Sequence, residues 1–434
     1  MTKASVSSSV VNTVNTIIGS GMLVLPYAFK TDSVLWGILI LIFAAVTNIL
    51  GLFLLAVSSK YLREGNANFF TVSLITDPSL SVIFDFAIAL QCFGVNISYV
   101  VLTGDLLPLI FPISGYSDSQ ARTFYILLSA FITVPLCFLK RLDSLKYASV
   151  VSLVAIAYLV ILVYANFGYA LATGFENVPI DKQGTISWWK PEGFKQVFKT
   201  FAIIVLAFTC PNEFSIISEL DNPTLSRILK IIAISLSVTT ALFVTVGLSG
   251  YFTFGSSLTG NIILMYQETW YTKLGMALLA LMVLLSFPLM FHPARISFHN
   301  ISHWIETTYI RSEESTPLIE SEAAAIPLSQ SRFVKLTIIM LIVAYFAALK
   351  LKSFELVLSI VGSTGGVLIS FVLPGFYGYK LINNAEKRGF LEIYSPEDSG
   401  HWVFRNETLK KLSLALVFWG IAVMFISLYS TLFE

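Results

Sequence analysis

Charged residues are scarce in this chain of 434 residues. Asp, Glu, Lys and Arg together make up 12% of it, whereas hydrophobic residues make up 56%. Soluble domains carry about 25% charged residues, so this composition excludes a soluble protein and predicts one that lies in a lipid bilayer. The formal net charge is only +1. We therefore expect no nucleic-acid partner, because such a partner needs a clustered basic face.

Cysteine and histidine are also rare. The three cysteines (Cys92, Cys137 and Cys210) fall in apolar segments, so no disulfide framework outside the membrane is expected. His299 and His303 have a metal-like spacing, but four histidines and few intramembrane carboxylates favour surface residues, and we predict no metal and no cofactor. The sequence also shows no nucleophile–base pair and no phosphate-binding Gly-x-x-x-x-Gly-Lys loop. These absences argue against an enzyme and against an ATP-driven pump.

Long apolar runs are what the chain has in abundance. Stretches of about 20 apolar residues mark membrane-spanning helices. Eleven such runs predict an all-α membrane protein with eleven transmembrane helices, in a single membrane domain over 1–434, with the eleventh helix at 410–434. The runs start near Val6, Leu35, Ser81, Thr123, Ala148, Val197, Ile228, Leu274, Phe333, Phe354 and Leu412.

Lysine and arginine in the loops predict the orientation. When the N-terminus is placed in the cytosol, about two-thirds of the 27 basic residues fall on the cytosolic side. An odd number of helices then places the C-terminus on the opposite, lumenal side. The polar and acidic segment 292–332 is expected to be a cytosolic loop.

The first ten helices divide into two halves of nearly equal length. Helices 1–5 occupy about 1–175 and helices 6–10 about 195–380. Because five is odd, the second half must enter the membrane with the opposite orientation. This count predicts a 5+5 inverted-topology repeat, an organisation typical of secondary transporters.

The first apolar run is interrupted by Asn15-Thr-Ile-Ile-Gly19-Ser20-Gly21. A helix broken in mid-membrane frees backbone groups, which is tolerated only where the gap is packed in protein or lines a cavity. Glycine lets the backbone leave helical geometry, and freed amides at the start of the next half-helix favour an anion such as a carboxylate. Close helix packing through small residues is the alternative. The predicted substrate-binding residues here are Thr16, Gly19, Ser20, Gly21 and Met22.

The sixth run is interrupted by Thr209-Cys-Pro-Asn-Glu213. Its proline cannot donate a hydrogen bond and clashes with the preceding turn. The freed carbonyls suit an ammonium group, although a proline kink without a ligand is the alternative. Two breaks at matched places in two halves are the best sequence indicator of a transporter's binding site. The predicted substrate-binding residues here are Phe208, Thr209, Cys210 and Asn212.

Three further features carry predictions. A charge close to mid-helix is expensive in a membrane and functional by default, so Glu213 is the predicted proton-coupling residue. The run from Gly362 to Gly366 favours close helix packing over a hinge. The segment Glu314-Ser-Thr-Pro-Leu318-Ile319, in the predicted cytosolic loop, resembles the acidic dileucine signals of vacuolar and lysosomal cargo. It predicts a sorting adaptor as a partner, bound at Glu314, Leu318 and Ile319.

Together these segments resemble the amino acid/auxin permease family of the amino acid–polyamine–organocation superfamily. The resemblance covers nearly the whole chain, and it is greatest to the fungal vacuolar amino acid transporters of the Avt group. Four stretches carry it: Asn15-Thr-Ile-Ile-Gly-Ser-Gly-Met-Leu-Val-Leu-Pro-Tyr-Ala-Phe29, Cys92-Phe-Gly-Val-Asn-Ile-Ser-Tyr99 followed by Gly104-Asp-Leu106, Phe208-Thr-Cys-Pro-Asn-Glu213 continuing to Glu219-Leu220, and Ser286-Phe-Pro288.

The resemblance implies a LeuT-like core with discontinuous helices 1 and 6. It also implies proton-coupled movement of amino acids, from the vacuole to the cytosol. In sodium-coupled relatives the positions of Asn15 and Ser286 hold the ion, and both are polar here, so sodium coupling stays an alternative. Many relatives carry a Cys-His pair in helix 6, whereas this chain has Cys210-Pro211, which removes any mechanism that uses that histidine.

The sequence therefore predicts a proton-driven amino acid symporter of the vacuolar membrane. Two alternatives remain at this point. One is an amino-acid-sensing receptor that binds its ligand in the same fold and signals through the loop 292–332. The other is a sodium-coupled amino acid symporter of the plasma membrane.

Overall fold

The computed structural model describes residues 4–139, 146–176, 178–306, 328–351, 353–395 and 405–433. Over these residues the chain is almost entirely helical, and a single isolated β-bridge joins Ala4 to Leu220. Ten described helices are long and apolar enough to cross a membrane, and a bent pair near the N-terminus completes an eleventh span. These features confirm the predicted all-α protein with eleven spanning segments. We call the membrane face that holds Ala4 the near face and the opposite one the far face.

The first five spans and their connections contain seven helices. The first span is bent and consists of α1 and α2, and the short helix α4 precedes the third span on the near face. Their bounds are α1 (Val6–Ile17), α2 (Leu25–Asp32), α3 (Val34–Ser59), α4 (Phe69–Thr76), α5 (Ser81–Ile110), α6 (Asp118–Cys137) and α7 (Lys146–Ala172).

The remaining six spans and their connections contain nine helices. The sixth span consists of α8 and α9, the tenth contains α13 and α14, and α15 is a short helix on the near face that the sequence reading missed. Their bounds are α8 (Phe194–Phe208), α9 (Glu213–Glu219), α10 (Leu225–Phe254), α11 (Trp270–Ile305), α12 (Gln330–Lys350), α13 (Phe354–Val361), α14 (Leu373–Leu381), α15 (Ala385–Tyr394) and α16 (Asn406–Leu432).

Most spans begin a few residues before the predicted apolar run. The fourth span starts at Asp118 rather than near Thr123, because Ser117 and Gln120 form a capping box in which each side chain accepts the other's backbone N–H. Such a polar first turn lies outside the apolar pattern, so hydrophobicity alone sets the start too late.

The segment 292–332, predicted as a loop, is helical at both ends. α11 continues to Ile305 and α12 begins at Gln330. The extension of α11 is held by Arg295, whose side chain is buried and donates a hydrogen bond of 2.8 Å to the carbonyl of Cys137. Outside the described residues lies the predicted sorting motif, Glu314, Leu318 and Ile319.

The glycine run of the tenth span is a close-packing surface, as predicted. A Cβ atom on Gly362 would lie 2.2 Å from the carbonyl oxygen of Ala202, and one on Gly365 would lie 2.5 Å from the amide nitrogen of Gln91. The run is π-helical, however, and a second π-helical stretch follows at Leu368–Val372. Such π-helical segments are rare and frequently occur at functional sites.

The first and sixth spans pack against each other in the interior. The 3₁₀ turn Ser20–Val24, between α1 and α2, contacts α8, and α2 packs against both α8 and α10. The tenth span flanks this pair, because its first helix and its π-helical part contact α8. The division into repeats at 1–175 and 195–380 stays a prediction.

Candidate functional site at the two helix breaks

The first break lies between α1 and the 3₁₀ turn. Ile18 and Gly19 both have extended backbones, with φ and ψ of −74° and 109° at Ile18 and of −142° and −158° at Gly19. The two parts of the span are bent by 53° relative to each other. Helical geometry is therefore lost at the position that the sequence predicted.

The second break lies between α8 and α9. Thr209 is extended, with φ −67° and ψ 131°, and the next helix starts at Glu213. The Thr209 hydroxyl donates to the carbonyl of Val205 at 3.0 Å and lies 3.0 Å from the hydroxyl of Ser370 in the tenth span. Pro211 has no N–H to continue the helix. The second predicted break is thus also present, and a neighbouring span supports it.

The two spans are in close contact at Gly21, but not at Gly19. A Cβ atom on Gly21 would lie 3.1 Å from the Cβ of Ala207, two residues before Thr209. A Cβ atom on Gly19, in contrast, would meet no atom within 4 Å. The Cα of Gly21 therefore packs closely against α8, whereas Gly19 borders open space.

The remaining predicted substrate-binding residues fall into different environments. Ser20, Phe208 and Cys210 are buried beside the breaks. The N–H of Met22 is not free, because it donates to the carbonyl of Gly19 at 3.2 Å within the 3₁₀ turn. The amides of Ser20 and Gly21 precede Met22, so they take no part in this first hydrogen bond of the turn. Two side chains do not converge on the breaks: Thr16, which donates to the carbonyl of Asn12 in its own helix, and Asn212, which is exposed.

Two of the three ion-coupling candidates have buried oxygens without a partner in the described structure. They are Oδ1 of Asn15, one turn before the first break, and Oε2 of Glu213, the first residue after the second break. The Glu213 side chain is almost fully buried, close to the thiol of Cys210. No described hydrogen bond joins Ser286 to either break, and its helix α11 packs mainly against α5 and α7.

A cavity of about 490 Å³ on the near face leads towards Asn15. Residues of α1, α7 and α9 line it, including Asn12, Leu153 and Ile216. At its rim the β-bridge ties the two near-face half-helices together, since the N–H of Ala4 donates to the carbonyl of Glu219 at 2.7 Å. The near-face cavity thus follows α1 as far as Asn15, one turn before the first break.

On the far face, two hydrogen bonds tie α2 to its neighbours. Lys30 donates to the carbonyl of Leu258 at 3.0 Å, which fastens α2 to the loop after α10. Asp32 is fully buried at the far end of α2, where it accepts a hydrogen bond of 2.9 Å from Thr200 of α8. The sequence reading missed Asp32, although an acidic residue at the end of the first apolar run was a visible signal. The contact between Thr200 and Asp32 thus joins the two far-face half-helices, α8 and α2.

Among the described residues, no three His, Cys, Asp or Glu side chains come close enough together to hold a metal ion. What the breaks offer is therefore backbone amides, backbone carbonyls and one buried carboxyl group. That combination suits a small zwitterion, because amides at a helix start bind anions and carbonyls bind cations.

Comparison with known sequences agrees with this geometry. Residues 2–429 match the family described as "transmembrane amino acid transporter protein". "Vacuolar amino acid transporter 7" of Saccharomyces cerevisiae is 39% identical, over 99% of this chain and 98% of the relative. "Vacuolar amino acid transporter 5" of Schizosaccharomyces pombe is 36% identical, over 87% of this chain and 86% of the relative. These similarities confirm the resemblance that the sequence motifs indicated.

Comparison with solved structures supports the fold. The crystal structure of MhsT in complex with L-phenylalanine superimposes with a TM-score of 0.59 and covers 98% of both chains. The sequence identity is 12%, so this likeness concerns the fold alone. MhsT has the LeuT fold, and the predicted LeuT-like architecture is thereby confirmed.

Proposed function

The chain belongs to the transmembrane amino acid transporter family, and from this premise we propose that it moves amino acids across the vacuolar membrane. The family and the relatives are transporters, which separates the chain from enzymes. The vacuolar assignment comes from the names of those relatives. The observation that carries the proposal is the pair of adjacent helix breaks, together with the open space beside Gly19 at the first of them.

The backbone of the breaks binds the part that all amino acids share. The substrate carboxylate meets the amides of Ser20 and Gly21, where the dipole of the following helical turn favours negative charge. The substrate ammonium meets the carbonyls at the end of α8, from Phe208 to Cys210. The carbonyl end of a helix carries partial negative charge, so both ends of a zwitterion are matched.

Alternating access follows from how the half-helices are tied. On the near face the β-bridge joins α1 to α9, and on the far face the hydrogen bond between Thr200 and Asp32 joins α8 to α2. Each pair can therefore move as one unit about the breaks. Opening of the far pair requires release of the contact between Lys30 and Leu258, while the near-face cavity already reaches Asn15.

A proton is the proposed coupling ion, and Glu213 its binding residue. The carboxyl group is buried next to the substrate site, with one oxygen unpartnered and no described cation paired with it. A carboxylate in that position is costly, so a change in its protonation accompanies a change in access. With the near face in the cytosol, the gradient of an acidic vacuole drives export to the cytosol. Sodium held by Asn15 and Ser286 is the competing arrangement.

Reconstitution into proteoliposomes tests the proposal. Purified protein in vesicles with an acidic interior should release preloaded radiolabelled amino acid faster than vesicles at equal pH or with a sodium gradient. If a sodium gradient alone accelerated release, sodium and not a proton would be the coupling ion. Saturable binding without any flux, under either gradient, would contradict transport and favour the receptor.

A further inference from the structure

A second cavity lies on the far face, away from the helix breaks. It has a volume of about 420 Å³ and sits between the end of α5, the start of α6, the loop after α10 and the start of α13. Small-molecule sites range from about 300 to 1,000 Å³, so it is large enough for a ligand the size of an amino acid. The polar residues that line it include Asp105, Asp118, Arg122, Asn261, Ser353 and Glu355.

The charges around this cavity do not balance. Arg122 is already committed, because it pairs with Asp105 at 2.9 Å and donates to the carbonyl of Leu351 at 2.9 Å. Asp118 and Glu355 have no cationic partner among the described residues. The Glu355 carboxylate is fixed against the backbone of Gly260, where a Cβ atom would lie 2.2 Å from its Oε2. Two carboxylates are thus available to a cationic ligand.

Asn261 adds a donor that lacks an acceptor. Its side chain is 3% exposed, and its Oδ1 accepts the N–H of Ile263 at 3.2 Å. Its Nδ2 is buried and has no partner in the described structure, although the residue lines the cavity. Buried polar groups are almost always hydrogen-bonded, so this amide marks a place where a ligand acceptor belongs.

We infer that this far-face cavity binds a basic amino acid, such as lysine, arginine or ornithine. The α-carboxylate of the ligand accepts from Asn261 Nδ2, and its two cationic groups meet Glu355 and Asp118. A neutral amino acid leaves one of these carboxylates without a partner. The inference rests on the proposed function, because it assigns the far-face cavity as a second binding site for basic amino acids beside the transport route.

Equilibrium dialysis of the purified full-length protein with radiolabelled L-lysine tests this assignment. The variant Gly19→Phe fills the open space at the first break and removes binding there. It should retain one saturable lysine site that L-arginine displaces and L-alanine does not. Adding Glu355→Gln should weaken that site by roughly tenfold or more, the effect of losing a hydrogen bond to a charged group.

Two further variants keep the outcome decisive. Asp118→Asn, an exposed position whose change leaves folding intact, should weaken lysine binding in the same way. Asp181→Asn removes another exposed far-face carboxylate outside the cavity and should have no effect. The inference would be overturned if Gly19→Phe lost all lysine binding, or if both cavity variants bound lysine as before. Neither result would contradict the proposed transport function. Absence of any amino acid flux in the wild type would instead overturn the proposed function.

Discussion

The hydroxyl of Thr209 lies 3.0 Å from the hydroxyl of Ser370, so a hydrogen bond joins the break of the sixth span to the π-helical part of the tenth. Both residues are buried, with exposures of 6% each. Thr209 also donates to the carbonyl of Val205 in its own helix. The extended backbone at the second break is therefore stabilised by a residue of a different span. Through this hydrogen bond the tenth span contacts the proposed substrate site directly.

Removing either hydroxyl should have unequal effects. Thr209→Val leaves Ser370 without this buried partner and should lower the free energy of unfolding by about 1–3 kcal/mol, whereas Ser370→Ala leaves Thr209 bonded to Val205 and should cost about 1 kcal/mol. The double variant should cost less than the sum. Thermal unfolding in detergent measures all three. Thr253→Val is the matched control, because the buried Thr253 hydroxyl has a single described hydrogen bond, to the carbonyl of Ser249 in its own helix. Additive losses would show that the two hydroxyls are independent.

Filling the open space at Gly19 should abolish amino acid transport without unfolding the protein. The backbone at Gly19 has φ −142°, which a side-chain-bearing residue adopts, and no atom lies within 4 Å of its Cβ position. Gly19→Phe should therefore fold and block the site. Gly168→Phe adds the same ring at an exposed position of α7 that is equally uncrowded, and transport should persist. Full amino acid uptake by Gly19→Phe in proteoliposomes would show that the first break is not part of the substrate site.

Neutralising Glu213 should separate transport from the proton gradient. Glu213→Gln has the shape of the protonated carboxyl group but cannot release a proton. We expect exchange of labelled for unlabelled amino acid to continue, while the acceleration by a pH gradient disappears. Comparison of exchange with gradient-driven flux, in the same vesicles, measures this. Glu407→Gln changes an exposed carboxyl in the first turn of α16, outside both cavities, and should behave as wild type. Gradient-driven flux that survives in Glu213→Gln would assign coupling to another group.

The helix breaks could be predicted because their causes are local. Glycine at position 19 permits an extended backbone, and Pro211 removes an N–H, whatever surrounds them. The contact between Thr209 and Ser370 could not be predicted, because the two residues are 161 positions apart and meet only through the packing of two spans. The burial of Asp32 depends likewise on a partner in α8. Local chemistry thus predicts where helices end, while the partners of each polar group depend on the fold.

The glycines of the tenth span should differ sharply in their tolerance of alanine. A Cβ atom on Gly362 would lie 2.2 Å from the backbone oxygen of Ala202, which cannot rotate away, so Gly362→Ala should destabilise the protein by about 1–3 kcal/mol. A Cβ atom on Gly366 would lie 3.4 Å from the side chain of Leu206, an ordinary contact. Gly366→Ala should therefore be neutral or should stabilise by up to about 1 kcal/mol through reduced chain entropy. Thermal unfolding of the two variants, side by side, gives the comparison. Equal melting temperatures would show that the tenth span does not depend on close contact at Gly362.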